Sequence, residues 1–155
     1  MDYYLLLKSA HIFSATILFG AGVGSAFYLF MANRRRELGG ICFATHTIVL
    51  ADKWFTGPAG LVQLLTGLGL VHVAGYSFSE PWLIVGSGLY VFTGMCWLPV
   101  VRIQIIMRDI AAQAQANGSE LTERYWVLAR RWTILGSMAF PAMVAVIVLM
   151  VYRPW

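Results

Sequence analysis

The sequence predicts an all-α membrane protein, a four-helix bundle in up-down-up-down order, and three observations predict it. The chain of 155 residues is 59% hydrophobic and only 12% charged, and its mean hydropathy of +0.71 is outside the usual range of soluble globular domains. Its apolar residues fall in long runs, each able to cross a bilayer at about 20 residues per span. Short polar connections separate the runs, so neighbouring helices should be antiparallel. We therefore expect residues 1–155 to form a single transmembrane domain.

The helix breakers and charged stretches divide the chain into spans. Three consecutive arginines, Arg34 to Arg36, and the following Gly39-Gly40 end the first run. The segment 41–55 is too polar to cross the membrane, and we interpret it as an extension of the second helix, with Gly57-Pro58 permitting a kink. We place the four spans at about 3–31, 57–76, 82–107 and 126–152.

The basic residues predict an orientation, because they collect at one side of the predicted bundle. The opposite side has only Lys8 and Arg153. By the positive-inside rule, both termini should lie outside, and the extension of helix two should lie on the cytoplasmic side. Lipid headgroups explain the net charge of +4, so we expect a lipid bilayer and no nucleic acid as partner. The basic residues on the cytoplasmic side are Arg34, Arg35, Arg36, Lys53, Arg102, Arg108, Arg124, Arg130 and Arg131.

His11 is the main candidate functional residue, because it is an ionisable side chain about 12 Å into the first span at about 1.5 Å per residue. Ionisable residues inside membrane spans are rare and usually have a functional role. A neutral imidazole can ligate heme iron, and small neighbouring residues would leave room for a porphyrin. The alternative is a histidine that hydrogen-bonds to a neighbouring helix. We expect the face of His11 to point into the bundle together with Ser14, Ala15, Leu18, Gly22 and Ser25.

His72 is a candidate second axial ligand, because the second helix brings it to the same end of the bundle as His11. Its angular position on the helix, however, places it on the same face as leucines, which favour contact with lipid. His72 could therefore ligate a cofactor or face the lipid headgroups, and both interpretations stay open. Gln63 lies near mid-span on the packing face and should hydrogen-bond across helices, to Thr93 or to a tyrosine. Trp97 is a candidate for shaping a cavity against the first helix, and simple packing is its alternative.

The other polar residues have ordinary interpretations. His46 should be an interfacial histidine on the extension of helix two. Asp52-Lys53 should form a local ion pair, or meet Arg102 and Arg130 at the membrane edge. Small-xxx-small patterns such as Gly20xxxGly24 predict close helix contact, within the bundle or in a homodimer.

Several motifs resemble a known group of proteins. Lys8-x-x-His11, followed by Leu18-Phe19-Gly20-x-Gly22-x-Gly24-x-Ala26, looks like the start of small bacterial four-helix membrane proteins. That group includes the HemJ-type protoporphyrinogen oxidases and the CopD-type copper-resistance membrane domains. More closely, Asp52-x-Trp54-Phe55-Thr56-x-Pro58-Ala59 and Cys96-Trp97-Leu98-Pro99 resemble an uncharacterised integral-membrane family in the same group, over nearly the whole chain.

The HemJ resemblance implies that His11 matches a histidine associated with heme binding. HemJ proteins also have a functional lysine in the third helix, whereas Trp82 to Val101 contains no lysine. We therefore expect b-type heme binding rather than protoporphyrinogen oxidation. The resemblance also places the chain in a bacterial inner membrane as a multi-pass protein.

Two functions from different classes remain open. In the first, the protein binds heme b through His11, with His72 as second metal ligand and Ser14 and Trp97 in the pocket. It then takes part in electron transfer or acts as a membrane oxidoreductase, with a quinone or another redox partner. In the second, the protein has no cofactor and is a small-solute or ion transporter or an accessory subunit of a membrane complex. Copper transport is less favoured, because the methionines form no Met-x-x-Met cluster.

Overall fold

The computed structural model describes residues 3–152, and within that range it is helical with short connections. The helices are α1 (Tyr3–Arg35), α2 (Leu38–Ala51), α3 (Gly57–Ala74), α4 (Pro81–Asn117) and α5 (Glu123–Tyr152), with a π-helical turn at Asp52–Thr56 between α2 and α3. Because α2, the turn and α3 are continuous, they form one long rod, Leu38–Ala74. This rod and the other three long helices are the 4 candidate membrane spans of the described residues. The predicted all-α four-helix membrane bundle is confirmed.

Glycine and proline set the ends of the helices. α3 and α4 end at Gly75 and Gly118, which have φ values of 70° and 61°. This left-handed conformation is the usual one after a helix C-terminus, and glycine adopts it without steric cost. Pro81 lies in the first turn of α4, where the missing N–H has no intrahelical partner to lose.

The π-helical turn lies directly before the predicted kink at Gly57-Pro58. Pro58 has no backbone N–H, so it cannot complete the regular hydrogen bond to the carbonyl four residues earlier. Gly57 instead donates its N–H to the carbonyl of Asp52, five residues earlier. The wider turn keeps the rod continuous while changing the direction of its side chains. The segment predicted at 41–55 as an extension of helix two is therefore α2 plus this turn.

The main core lies at one end of the bundle, which we call the basic end because Arg34 to Arg36 lie there. It joins α1, α2, α4 and α5. The Tyr125 hydroxyl donates to the side-chain oxygen of Asn33 at 2.6 Å across this core. A smaller core of Val71, Trp82 and Leu83 lies at the opposite end. The main core consists of Leu29, Ile41, Ala44, Ile48, Met107, Ala111, Tyr125, Ala129 and Trp132.

The small-residue patterns divide into two kinds in the structure. At Gly60 and Gly67 on α3, side chains of α1 and α4 approach the backbone closely. At Gly20, Gly22 and Gly24 on α1, an added Cβ would meet nothing within 4 Å. The expectation that Gly22 points into the bundle is wrong, because the residue is exposed. Instead, α1 and α2 border an apolar groove of about 800 Å³ that Gly20 and Gly24 help to line.

The predicted orientation stays a prediction. Arg153, which was assigned to the outer side, lies outside residues 3–152.

Candidate functional site

His11 lies between α1 and α3 and makes a hydrogen bond with each ring nitrogen. Its Nδ1 is 3.0 Å from the Thr66 hydroxyl, and its Nε2 is 2.9 Å from the Gln63 side-chain nitrogen. Both partners project from the inner face of α3, one turn apart. The imidazole is therefore held by two polar side chains of one helix, and it joins the first span to the second.

Ser14, one turn after His11, completes this network. Its side chain is buried, and its hydroxyl lies 2.5 Å from the Gln63 side-chain oxygen and 3.0 Å from the His11 carbonyl oxygen. The contact with Gln63 is short for a hydrogen bond between a hydroxyl and an amide oxygen. We call Ser14, His11, Gln63 and Thr66 the histidine cluster.

With the Gln63 amide oriented as in this structure, the hydrogen bonds assign the proton of the neutral His11 ring to one nitrogen. Because the Ser14 hydroxyl donates to the amide oxygen of Gln63, the amide NH₂ of Gln63 faces His11 and donates to Nε2. A nitrogen that accepts this bond has no proton, so Nδ1 carries the proton of the neutral ring. Nδ1 then donates to the Thr66 hydroxyl, which in turn donates to the Val62 carbonyl at 2.6 Å. The lone pair of the imidazole is on Nε2.

Gly67 allows the imidazole to reach α3. A Cβ at this position would lie 3.2 Å from His11 Cε1, which is closer than side chains normally approach. Two turns towards the basic end and on the same side of α3, the Tyr90 hydroxyl of α4 donates to the Gly60 carbonyl at 2.8 Å. Small residues on α3 thus let polar groups of two neighbouring helices contact its backbone.

The predicted cofactor residues His72 and Trp97 are not among the contacts of His11 in the structure. His72 is exposed in the last turn of α3, whereas the imidazole of His11 contacts Gln63, Thr66 and Gly67. Trp97 lies two turns further along α4 than Tyr90, towards the basic end, and belongs to a different cluster. Of the predicted pocket residues, the structure brings only Ser14 to His11. His46 is exposed beside a surface depression that Arg108 and Asp109 also line.

A second buried polar cluster surrounds Asp52, the first residue of the π-helical turn. In the amide orientation that satisfies both neighbours, Gln104 of α4 donates its NH₂ to Asp52 Oδ2, and its oxygen accepts the Trp132 indole N–H at 3.2 Å. The Thr56 hydroxyl and the Trp97 indole N–H also lie beside the carboxyl. We call Asp52, Thr56, Trp97, Gln104 and Trp132 the aspartate cluster.

The predicted partners of Gln63 and Asp52 need correction. Gln63 hydrogen-bonds across helices as expected, but its partners are on α1, and Thr93 bonds to its own helix. The predicted ion pair of Asp52 with Lys53, Arg102 or Arg130 is wrong. In the described range the ion pair is Arg108–Asp109, and the Lys53 ammonium lies over the Trp54 ring.

The sequence did not indicate Gln104 as the partner of Asp52, or Trp132 as the partner of Gln104. A polar residue inside an apolar span is the signal that could have drawn attention to Gln104, as it did to Gln63. A cluster of three or more His, Cys, Asp or Glu side chains that could hold a metal is absent from the part of the chain that the structure describes.

Together, the four long apolar helices and the polar clusters buried between them define a polytopic integral membrane protein. The chain belongs to the family described as "Predicted integral membrane protein (DUF2269)", whose model matches residues 5–154. Comparison with curated proteins and with solved structures found no significant match.

Proposed function

We propose that this membrane protein binds a b-type heme through His11 as its single histidine ligand and acts in membrane redox chemistry. The observation that carries the proposal is the tautomer of His11. Its unprotonated nitrogen is Nε2, whose lone pair accepts the Gln63 amide N–H in this structure, and its Nδ1–H donates to the Thr66 hydroxyl. Histidines that ligate metals usually donate their other ring N–H to a fixed acceptor, which orients the ring and raises its basicity.

The residues of the histidine cluster fit this role as donors. Thr66 would keep the imidazole in the tautomer that ligates iron, and Ser14 would hold the Gln63 side chain by its oxygen. The Gln63 amide occupies Nε2 in this structure, so it would have to move away from the ring when the iron binds. When bound, heme supplies one-electron chemistry at its iron.

The exposed position of His72 supports one histidine ligand rather than two. Two protein ligands favour electron transfer, whereas a single ligand leaves an iron position for a small molecule. We therefore favour an oxidoreductase over a simple electron carrier. Trp97 does not belong to this proposed site, because it lies in the aspartate cluster.

A specific observation also favours the cofactor-free alternative. Both nitrogens of His11 already have partners, and the four side chains of the histidine cluster satisfy one another. Such a network suffices as a clamp between α1 and α3 in a small-solute or ion transporter or in an accessory subunit. In that case the cluster has a structural role, and function lies elsewhere in the bundle.

The visible absorption spectrum of the protein separates these functions. The protein would be expressed with ample heme, purified in mild detergent, and measured oxidised and after reduction with dithionite. The three histidines supply matched variants, His11→Ala, His46→Ala and His72→Ala. The proposal expects a Soret band and reduced α and β bands that only His11→Ala abolishes. A colourless wild-type protein, or a spectrum unchanged in His11→Ala, would overturn it and favour the cofactor-free protein.

A further inference from the structure

Asp52 is a buried carboxyl group without a cation. Its side chain is 8% exposed in the middle of the rod Leu38–Ala74. The groups that face it are neutral, namely Thr56 on its own turn and Trp97 and Gln104 on α4. From α1, α2, α3 and α5, no charged side chain of the described range faces the carboxyl.

An ionised carboxylate in this position is costly, because a low-dielectric surrounding penalises an unpaired charge. Burial therefore favours the protonated carboxyl. The neighbouring groups have the opposite effect, since the Gln104 NH₂ donates to Oδ2, and the indole of Trp97 and the hydroxyl of Thr56 are further donors. Hydrogen bonds from such donors stabilise the ionised form. The two effects oppose each other at one side chain.

Two of these donors have no partner in the structure. The Thr56 hydroxyl oxygen and the Trp97 indole nitrogen are buried, and neither meets the geometry of a hydrogen bond. Buried polar groups of native proteins are seldom left unsatisfied, so each such group needs an explanation. Both lie beside the Asp52 carboxyl. The Asp52 carboxyl is thus an acceptor beside two buried donors that lack a partner.

The backbone at Asp52 is also unusual. Asp52 begins the π-helical turn, and single π turns inside long helices are frequent at functional sites. From Asp52, polar groups continue along one face of the rod at spacings of four, four and three residues. They are the Thr56 hydroxyl, the Gly60 carbonyl with the Tyr90 hydroxyl, and the Gln63 amide. Asp52 and Gln63 are about 16 Å apart at about 1.5 Å per residue, so this stripe extends from the aspartate cluster to the histidine cluster.

We propose that Asp52 is a reversible proton-binding site inside the membrane domain, with Gln104, Trp97 and Thr56 as the groups that hold its ionised form. Its ligand is a proton taken up at one carboxyl oxygen. The site goes beyond the proposed heme function and does not depend on it, because none of its groups belongs to the histidine cluster.

Infrared difference spectroscopy of protein labelled with carboxyl-¹³C aspartate tests this site directly. The chain has three aspartates, Asp2, Asp52 and Asp109, so the label restricts the signal to few groups. Spectra would be taken in detergent between about pH 4 and about pH 10, which brackets the titration of ordinary and buried carboxyls. We expect one carbonyl band of a protonated, buried carboxyl that appears on acidification and shifts in ²H₂O.

Matched variants assign the band. Asp52→Asn should abolish it, and Asp109→Asn, at an exposed residue paired with Arg108, should leave it unchanged. Asp52→Glu should replace it with an unlabelled band that still titrates, which also shows that the bundle folds. A band that persists in Asp52→Asn would overturn the proposal. An Asp52 that stays protonated or stays ionised over the whole pH range would overturn it equally.

Discussion

The Gln63 side-chain nitrogen lies 2.9 Å from Nε2 of His11, and this hydrogen bond joins the first two membrane spans at one level. Gln63 also accepts a bond from Ser14, so its amide contacts α1 at two points. Hydrogen bonds between helices in membranes contribute about 0.6 kcal/mol on average and up to about 1.7 kcal/mol.

Gln63→Ala should therefore lower the stability of the bundle. The substitution removes the donor to His11 and the acceptor of Ser14 together, and we expect a loss of about 1–2 kcal/mol. The midpoint of thermal unfolding in detergent, followed by circular dichroism, measures this effect. Gln113→Ala, at an exposed position of α4, is the matched control and should change the midpoint little. Equal midpoints for the two variants would contradict a clamp at Gln63.

Gly67→Ala should displace the imidazole of His11. The new methyl group would lie 3.2 Å from His11 Cε1, so the ring or the helix must shift, and overpacking of this kind costs about 1–3 kcal/mol. Gly20→Ala is the control, because a Cβ there meets nothing within 4 Å. At that site the change should be neutral or stabilise the helix by up to about 1 kcal/mol. If unfolding midpoints fall equally in both variants, the contact at Gly67 has no special importance.

The sequence was sufficient to predict the fold and to single out His11 and Gln63, but not to pair them. Runs of about 20 apolar residues define spans almost by themselves, because only a helix can bury its backbone polar groups in lipid. Both His11 and Gln63 are conspicuous in such runs. Their pairing depends on the rotation and register of α1 against α3, and helices that are apolar on all faces give little information on either. Consequently, Thr93 and a tyrosine seemed equally good partners for Gln63.

Asp52 was harder still to interpret from the sequence. Its position beside Lys53 and near several arginines favoured an ion pair at the membrane edge. The π-helical turn changes that expectation, because the wider turn rotates side chains relative to a regular helix, in which each residue advances by about 100°. Asp52 consequently lies beside Gln104, while Lys53 is exposed over the Trp54 ring. Pro58 was the available signal, and it indicated a kink without showing which side chain would become buried.

Tyr125→Phe should weaken the main core at the basic end. The Tyr125 hydroxyl is the donor to Asn33 at 2.6 Å, and its removal leaves a partly buried amide oxygen without this bond. We expect a loss of about 1 kcal/mol, the usual net value of such a hydrogen bond. Tyr28→Phe removes a hydroxyl from a residue that is 68% exposed, and it should be neutral. Thermal unfolding of the two variants, side by side, checks the difference, and a neutral Tyr125→Phe would contradict it.

Gln104→Leu should lower stability more than Trp97→Phe, although both remove a polar group beside Asp52. Gln104 donates to the carboxyl and accepts from Trp132, so the leucine variant leaves two buried groups without partners and should cost about 1–3 kcal/mol. The Trp97 indole N–H has no partner to lose, and phenylalanine keeps much of the apolar volume, so this change should cost no more than about 1 kcal/mol. Thermal unfolding at one pH, with both variants in the same detergent, gives the comparison. A Trp97→Phe variant that is as unstable as Gln104→Leu would contradict this prediction. It would show that the Trp97 indole N–H already donates a hydrogen bond to the Asp52 carboxyl.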